Sequence, residues 1–83
     1  MIHHTSPEFW ECFERLPADI QRLARNNYEL LRANPKHPSL HFKKVGPSWS
    51  VRVVLGYRAL GTDVSDGVLW AWIGSHAEYD KLT

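Results

Sequence analysis

The segment WSVRVVLGYRALGT, residues 49–62, has a different periodicity from the region before it. Valines alternate with polar or charged residues before Gly56, and small residues alternate with larger ones after it. Alternation with a period of two is typical of β-strands, and glycine is favoured in tight turns. The segment therefore predicts two consecutive strands, Trp49–Leu55 and Tyr57–Thr62, joined by a turn at Gly56.

The region before this segment has a helical period. Thr5-Ser6-Pro7-Glu8 predicts a helix start with Thr5 as the N-cap, and Pro17 ends this first helix and opens a second one. Asn34-Pro35 ends the second helix. The buried face of the first helix is predicted to be Phe9, Trp10, Phe13 and Leu16, and that of the second to be Ile20, Leu23, Ala24, Asn27, Tyr28 and Leu31.

Two more strands are predicted, over Leu40–Val45 and Val68–Ile73, with a loop at Asp63–Gly67 between the last two strands. Val68–Ile73 is apolar on both faces, which is typical of a central strand whose outer face is covered by the C-terminal segment or by another protein. His76–Leu82 is predicted to form a short helix or tail. The sequence thus predicts one α+β domain, residues 1–83: two N-terminal antiparallel helices packed on a four-stranded antiparallel sheet with a short C-terminal helix.

Alternation also predicts which side chains face the helices. Val51, Val53 and Leu55 form the apolar side of one strand, so Arg52 points away from the helices. The open face of the sheet is expected to carry His41, Lys43, Arg52, Arg58 and Leu60.

The charges of the chain are segregated, although the net charge is only +1. Residues 30–62 contain no acidic residue, whereas all nine Asp and Glu residues lie outside this window. The basic residues of the window are Arg32, Lys36, Lys43, Lys44, Arg52 and Arg58. A segregated basic surface favours a polyanion such as nucleic acid as partner, and a solvated face without a ligand is the alternative.

Composition excludes several other classes. The single Cys12 excludes an internal disulfide and a cysteine zinc site. Neither a signal peptide nor a membrane-spanning run is visible, so a cytoplasmic protein without a membrane partner is expected. His37 and His41 alone do not make a metal site, so neither a metal nor another cofactor is expected. His3 and His4 are expected to be disordered, and the aromatic residues of the helices are expected to lie in the core.

The chain resembles the RelE/ParE superfamily of bacterial type II toxin–antitoxin toxins over roughly residues 7 to 82. The resemblance depends on the order and spacing of short segments rather than on any one of them. These are Leu16-Pro17, Ile20-Gln21, Asn34-Pro35, His37-Pro38-Ser39-Leu40, Lys43-Lys44-Val45, Trp49-Ser50-Val51-Arg52-Val53, Gly56-Tyr57-Arg58-Ala59-Leu60, Trp72-Ile73-Gly74-Ser75-His76 and Glu78-Tyr79.

The resemblance implies helices packed on a twisted sheet whose open face binds either ribosome-bound mRNA, as in the RelE branch, or DNA gyrase, as in the ParE branch. It also implies a cognate antitoxin and allows a toxin–antitoxin hetero-oligomer. Such toxins usually begin with a β-strand. Only residues 1–5 precede the first helix here, so this strand is expected to be very short or absent.

RelE-like cleavage needs no metal: the 2′-hydroxyl attacks the adjacent phosphate, with a base, an acid and cations to stabilise the phosphorane. Arg58 matches the sheet arginine of the family that contacts the scissile phosphate. Lys43 and Lys44 match its basic strand, and Lys43 is the catalytic candidate of the two, to stabilise the phosphorane or to act as base if neighbouring positive charge lowers its pKa. His76 is the candidate acid or base. Tyr79 is a candidate for base stacking or proton donation, and Lys44, Arg52 and His41 are candidate RNA contacts.

Each of these assignments has a structural alternative. Arg52 and Arg58 could be ordinary strand arginines, and the lysines could protect a sheet edge. Ser75-His76 could only cap the last helix, and Tyr79 could pack on Trp70 or Trp72. At the level of the whole chain, three functions remain open: a ribosome-dependent mRNA endonuclease, a non-enzymatic gyrase inhibitor, and a degenerate member that binds a partner without toxicity. His76 and the lysines favour the first, and the short N-terminus favours the third.

Overall fold

A computed structural model describes residues 1–54 and 56–82 of the chain. Leu55, predicted to end a strand and face the helices, lies outside the described residues. The elements in chain order are β1 (Ile2–Thr5), α1 (Pro7–Glu14), α2 (Ala18–Ala33), a short 3₁₀ helix (Pro38–Leu40), β2 (Lys43–Val45), β3 (Ser48–Val54), β4 (Tyr57–Val64), β5 (Gly67–Ser75) and α3 (His76–Leu82).

The described strands form one mixed sheet in the order β1-β5-β4-β3-β2. β1 is parallel to β5, and the other neighbouring strands are antiparallel. The α+β class is confirmed, and β5 is an inner strand as predicted. The prediction of four antiparallel strands is wrong, because Ile2–Thr5 adds a fifth strand and makes the sheet mixed.

The N-terminal strand is held by side chains that the sequence pattern does not reveal as strand partners. The indole Nε1 of Trp70 donates a hydrogen bond to His3 Nδ1 over 3.1 Å, and the two rings stack. Gly67 lies opposite Ile2, and a Cβ at Gly67 would overlap the backbone of Ile2. His3 is therefore ordered, and His4 is also ordered because it pairs with Asp66. The expectation that both histidines are disordered is wrong.

The first helix begins one residue later than predicted. Ser6 is the N-cap and accepts a hydrogen bond from the backbone N–H of Phe9, because Thr5 still belongs to β1. The Thr5 hydroxyl instead accepts a hydrogen bond from Trp10 Nε1. Trp10 remains 40% exposed, so its prediction as a core residue is wrong.

The second helix opens at Pro17 as predicted and uses only part of its predicted apolar stripe. Ala24 and Leu31 are buried, whereas Leu23 and Tyr28 are each 37% exposed. The difference arises because α1 packs mainly on β5 and α2 on β3, so the helices do not close over the sheet together.

An apolar cleft of about 460 Å³ opens between the two helices and the sheet, lined by side chains that include Phe9, Phe13, Tyr28, Val53 and Trp70. Below it lies the core. The fully or almost fully buried apolar side chains are Phe13, Leu16, Ala24, Leu31, Leu40, Val51, Val53, Ala59, Val68, Trp70 and Ile73. All of these belong to one cluster, so one face of the sheet carries the core.

Two loop regions differ from the predictions. The predicted strand Leu40–Val45 is shortened to Lys43–Val45, because Leu40 ends the 3₁₀ helix and His41 has a left-handed φ of 47°. The predicted loop Asp63–Gly67 is a tight turn, since β4 continues to Val64 and β5 begins at Gly67. In the described part of the chain, no helix has the length and apolar character that a membrane crossing requires.

Candidate functional site

The open face of the sheet, opposite the core, is defined by the strand register. Arg52 pairs with Arg58 across β3 and β4, and Lys43 pairs with Ser50 across β2 and β3. Directly paired residues in antiparallel strands point to the same side. Lys43, Arg52 and Arg58 therefore lie on one face, with Val51 and the other buried apolar strand residues on the opposite face.

The two arginines form a like-charged cross-strand pair. Neither forms a salt bridge with a carboxylate within the described residues, so this part of the chain does not neutralise the pair. Arg58 Nη1 donates a hydrogen bond to the hydroxyl of Ser50 over 3.0 Å, and Ser50 is completely buried beneath it. Arg58 is thereby held in place, whereas no hydrogen bond within the described residues restrains the guanidinium of Arg52.

Helix α3 brings the next two groups to this face. The backbone N–H of His76 donates to the carbonyl of Gly56 over 2.7 Å, which ties the start of α3 to the turn between β3 and β4. The guanidinium of Arg58 lies 5.5 Å from the ring centroid of Tyr79, within cation–π distance. The rings of His76 and Tyr79 are 5.8 Å apart. Tyr79 therefore links Arg58 to a half-exposed His76, whose Nε2 lies 3.8 Å from Asp80 Oδ1.

The first turn of α3 is fixed by a capping box. Glu78 accepts hydrogen bonds from the backbone N–H and the hydroxyl of Ser75, and the Ser75 hydroxyl accepts one from the N–H of Glu78. Such reciprocal caps set the direction in which a helix leaves a strand. The carboxylate of Glu78 is thereby directed to the helix start rather than to the arginines.

Lys44 does not join the arginines. It pairs with Trp49, which faces the core side, and its ammonium contacts the Asp63 carboxylate, which also accepts a hydrogen bond from Trp49 Nε1 over 2.7 Å. The hydrogen bond from Lys44, and then that from Trp49, lower the pKa of Asp63. His41 lies outside the strands at a left-handed residue, so strand alternation does not assign it to the open face.

Two residues of this face, Ser50 and Trp72, were not among the predicted site residues. Ser50 could have been found, because the alternation that places Arg52 on the open face also places Ser50 there. Trp72 could not. The register shifts between Leu60 and Gly61, which adds one residue to β5 and turns Trp72 to the side opposite Trp70.

The described residues, 1–54 and 56–82, contain no cluster of three or more His, Cys, Asp or Glu side chains that could hold a metal ion. The chemical groups of the face are cations, an imidazole, a phenol and an indole, with the Asp80 carboxylate beside His76 and the Glu78 carboxylate at the start of α3. Arginines that form no salt bridge with these carboxylates can hold an oxyanion, and an imidazole can exchange a proton with it.

No protein-family model and no curated protein matches the chain. Solved structures do match over nearly all of it. A chain of the RelB–RelE antitoxin–toxin complex from Methanococcus jannaschii has a TM-score of 0.72 at 15% identity, covering 96% of this chain and 99% of that one. The chain has the RelE fold.

Two further toxin structures share the RelE fold. The isolated RelE toxin of E. coli has a TM-score of 0.63 at 8% identity, covering 98% of this chain and 94% of that one. A copper-bound mutant toxin from Helicobacter pylori has a TM-score of 0.59 at 15% identity, covering 92% and 94%. At these identities the comparison concerns the backbone, and the chemistry must be argued from the side chains of this chain.

Proposed function

We propose that this chain is the toxin of a type II toxin–antitoxin system and acts as a RelE-like, ribosome-dependent mRNA endonuclease. The observation that carries the proposal is the cross-strand pair of Arg52 and Arg58 without a carboxylate, next to Tyr79 and His76. Two cations facing each other on a sheet are unfavourable unless an anion lies between them. A scissile phosphate is an anion that both guanidinium groups can contact.

The reaction can be assigned to these groups step by step. The 2′-oxygen attacks the neighbouring phosphorus, and the bond from phosphorus to the 5′-oxygen breaks. The products are a 2′,3′-cyclic phosphate and a 5′-hydroxyl. Arg58, positioned by Ser50 and Tyr79, stabilises the extra negative charge of the phosphorane, and Arg52 contacts a second oxygen. Lys43, at the edge of the same face, adds positive charge along the RNA backbone.

Proton transfer is assigned to the start of α3. His76 is half exposed and linked through Tyr79 to Arg58, so it can reach a group bound at the arginines. One side chain must accept the proton of the 2′-hydroxyl and one must supply a proton to the departing 5′-oxygen. We assign one of these transfers to His76 and the other to Tyr79. The alternative, in which Ser75-His76 only caps α3, does not need the imidazole.

The proposed partner is a cognate antitoxin, and the likeness to a chain of the RelB–RelE antitoxin–toxin complex supports it. A degenerate, inactive member is favoured by an N-terminal strand that is very short or absent. β1 has only four residues but is paired with β5, so the sheet is not missing this strand.

The test is inducible expression in growing cells with mapping of transcript ends. Cuts positioned by codon that disappear in Arg58→Ala and in His76→Ala support the nuclease. The matched control is Arg22→Ala, which removes an exposed arginine from α2, away from the open face. Growth arrest with intact mRNA and a DNA-damage response would instead support gyrase inhibition. Intact mRNA without arrest, from folded protein, would overturn both activities.

A further inference from the structure

Trp72 differs from the other tryptophans of the chain. Each of the other three donates its indole N–H to a side chain and has an aromatic neighbour. In contrast, the Trp72 indole has neither a hydrogen-bond partner nor a stacked ring within residues 1–54 and 56–82, and it lies outside the core cluster. The acceptors of the other three are Thr5 Oγ1 for Trp10, Asp63 Oδ1 for Trp49 and His3 Nδ1 for Trp70.

The indole lies over the cross-strand neighbour of Arg58. Trp72 pairs with Leu60 on the open face, and the next residue on that face of β5 is Gly74, which pairs with Arg58. A Cβ at Gly74 would lie 2.5 Å from Cζ2 and 2.9 Å from Cη2 of Trp72. The six-membered ring therefore occupies the space above Gly74, next to Arg58, and the absence of a side chain at position 74 makes room for it.

We propose that Trp72 is a stacking platform for a nucleobase of the RNA strand whose phosphate is held by Arg52 and Arg58. The inference rests on the proposed function. A half-buried indole without an aromatic partner gains contact area when a base covers it, and its unpaired N–H lies at the ring edge, where it can donate to the base or the backbone. Stacking accepts any base, since every base has a flat face.

Single-stranded RNA is the substrate form that fits this arrangement. Its bases are not locked into a duplex, so one base can lie on Trp72 while the adjoining phosphate reaches the arginines. Arg58 contacts Tyr79 on α3, and Trp72 covers Gly74, the cross-strand partner of Arg58 on β5. The arrangement fixes the base relative to the phosphate and thereby aligns the scissile bond.

A purely structural role for Trp72 makes a different prediction. The Glu78 carboxylate lies 3.2 Å from the same Cβ position above Gly74, so the indole also lies close to the first turn of α3. If Trp72 only supported α3, its replacement would lower stability and would affect RNA bases and RNA backbone alike. If Trp72 stacks on a base, its replacement should remove only the contribution of that base to RNA binding.

The experiment is a binding cycle with purified, folded protein and a short single-stranded RNA, or the same RNA in the A site of a ribosome. One RNA carries all its bases. Each RNA of a second set lacks one base, at a different position in each. The protein variants are wild type, Trp72→Phe, Trp72→Leu and the control Trp10→Leu, which removes a partly exposed tryptophan from α1. Thermal denaturation of each variant reports its effect on the fold.

We expect one abasic position to weaken binding to wild type by roughly 5- to 100-fold. Trp72→Leu should lose the same factor with the complete RNA and show no further loss with the abasic RNA, while Trp72→Phe and Trp10→Leu stay near wild type. A Trp72→Leu variant that binds both RNAs like wild type overturns the platform but leaves the nuclease proposal intact. RNA that fails to bind wild type in both formats overturns the nuclease proposal together with the platform.

Discussion

Arg52 and Arg58 lie directly opposite each other on β3 and β4. Like charges in this position destabilise a sheet by about 0.2–1 kcal/mol. Arg58 is compensated by its hydrogen bond to Ser50 and by the ring of Tyr79, whereas Arg52 has no such contact in the described chain. The unfavourable repulsion therefore resides mainly at Arg52. Substitution of Arg52 can consequently distinguish an effect on stability from an effect on RNA binding.

We expect Arg52→Gln to raise the free energy of unfolding by about 0.2–1 kcal/mol, because it removes one of two repelling charges. The same substitution should weaken RNA binding. Urea denaturation measures the first effect, and the stability gain should shrink at high salt as the repulsion is screened. Arg22→Gln on α2 is the control for the loss of a surface arginine. A destabilised Arg52→Gln protein would show instead that Arg52 packs the sheet.

How far single residues were predictable depended on whether strand alternation held at their positions. It placed Lys43, Arg52 and Arg58 on one face because β3 and β4 are regular between Ser48 and Arg52. It does not apply at His41, which lies outside the strands where the backbone turns left-handed, and it fails at Trp72, where β5 has an extra residue. Left-handed turns and bulges reverse side-chain direction without changing composition, so the period of the sequence does not report them.

At the level of elements, β1 joins the sheet only because β5 leaves room for it at Gly67. We expect Gly67→Ala to displace β1, since the added Cβ would overlap the backbone of Ile2. Amide hydrogen exchange should then lose protection at residues 2–5, while protection in β3 and β4 is kept. Ser65→Ala, an exposed change in the same turn, is the control and should leave exchange unchanged. Retained protection in Gly67→Ala would contradict this account of β1.

His3 makes the attachment of β1 sensitive to pH. Burial, and then the positive charges of the N-terminal ammonium, Arg32 and His4, lower the pKa of His3. The fold therefore favours the neutral ring, which is also the form whose Nδ1 can accept the hydrogen bond from Trp70. A group with a lowered folded pKa contributes stability above its unfolded pKa and loses it as pH falls.

We therefore expect the free energy of unfolding to decrease as pH falls below about 6.5, the ordinary value for histidine. In His3→Phe this slope should be smaller, although the variant starts less stable at neutral pH because Trp70 Nε1 loses its acceptor. Urea denaturation across this pH range measures both effects, with His41→Gln as an exposed histidine control. An unchanged slope in His3→Phe would place the pH dependence in another group.

β1 is the element that the sequence did not reveal, because it carries no local periodic signal. The helices α1 and α2 are encoded by a local period, and so are β3 and β4. β1 has no such signal, since its four residues include two histidines, and its partner β5 lies at the other end of the chain. Long-range parallel pairing depends on tertiary contacts such as His3 with Trp70, which no local pattern contains.

For the whole molecule, helices α1 and α2 cover one face of the sheet, and the cations lie on the other face beside α3. The net charge is only +1, so attraction of RNA depends on where the charges lie rather than on their sum. Lys44 is neutralised by Asp63 on the core side of the sheet. Lys43, Arg52 and Arg58 share the open face, and these three should set the electrostatic part of RNA affinity.

The separation of the paired Lys44 from the three cations of the open face predicts how binding to single-stranded RNA depends on salt. Each neutralised phosphate contributes about −0.7 to the slope of log affinity against log salt concentration, so three cations give a slope of about −2. Arg52→Gln should reduce its magnitude by about 0.7, because one phosphate contact is lost. Lys44→Gln and Arg22→Gln are matched controls that remove a positive charge elsewhere, and they should leave the slope unchanged. Fluorescence anisotropy over a salt series measures all four proteins, and equal reductions in all three variants would mean that RNA responds to net charge rather than to the open face.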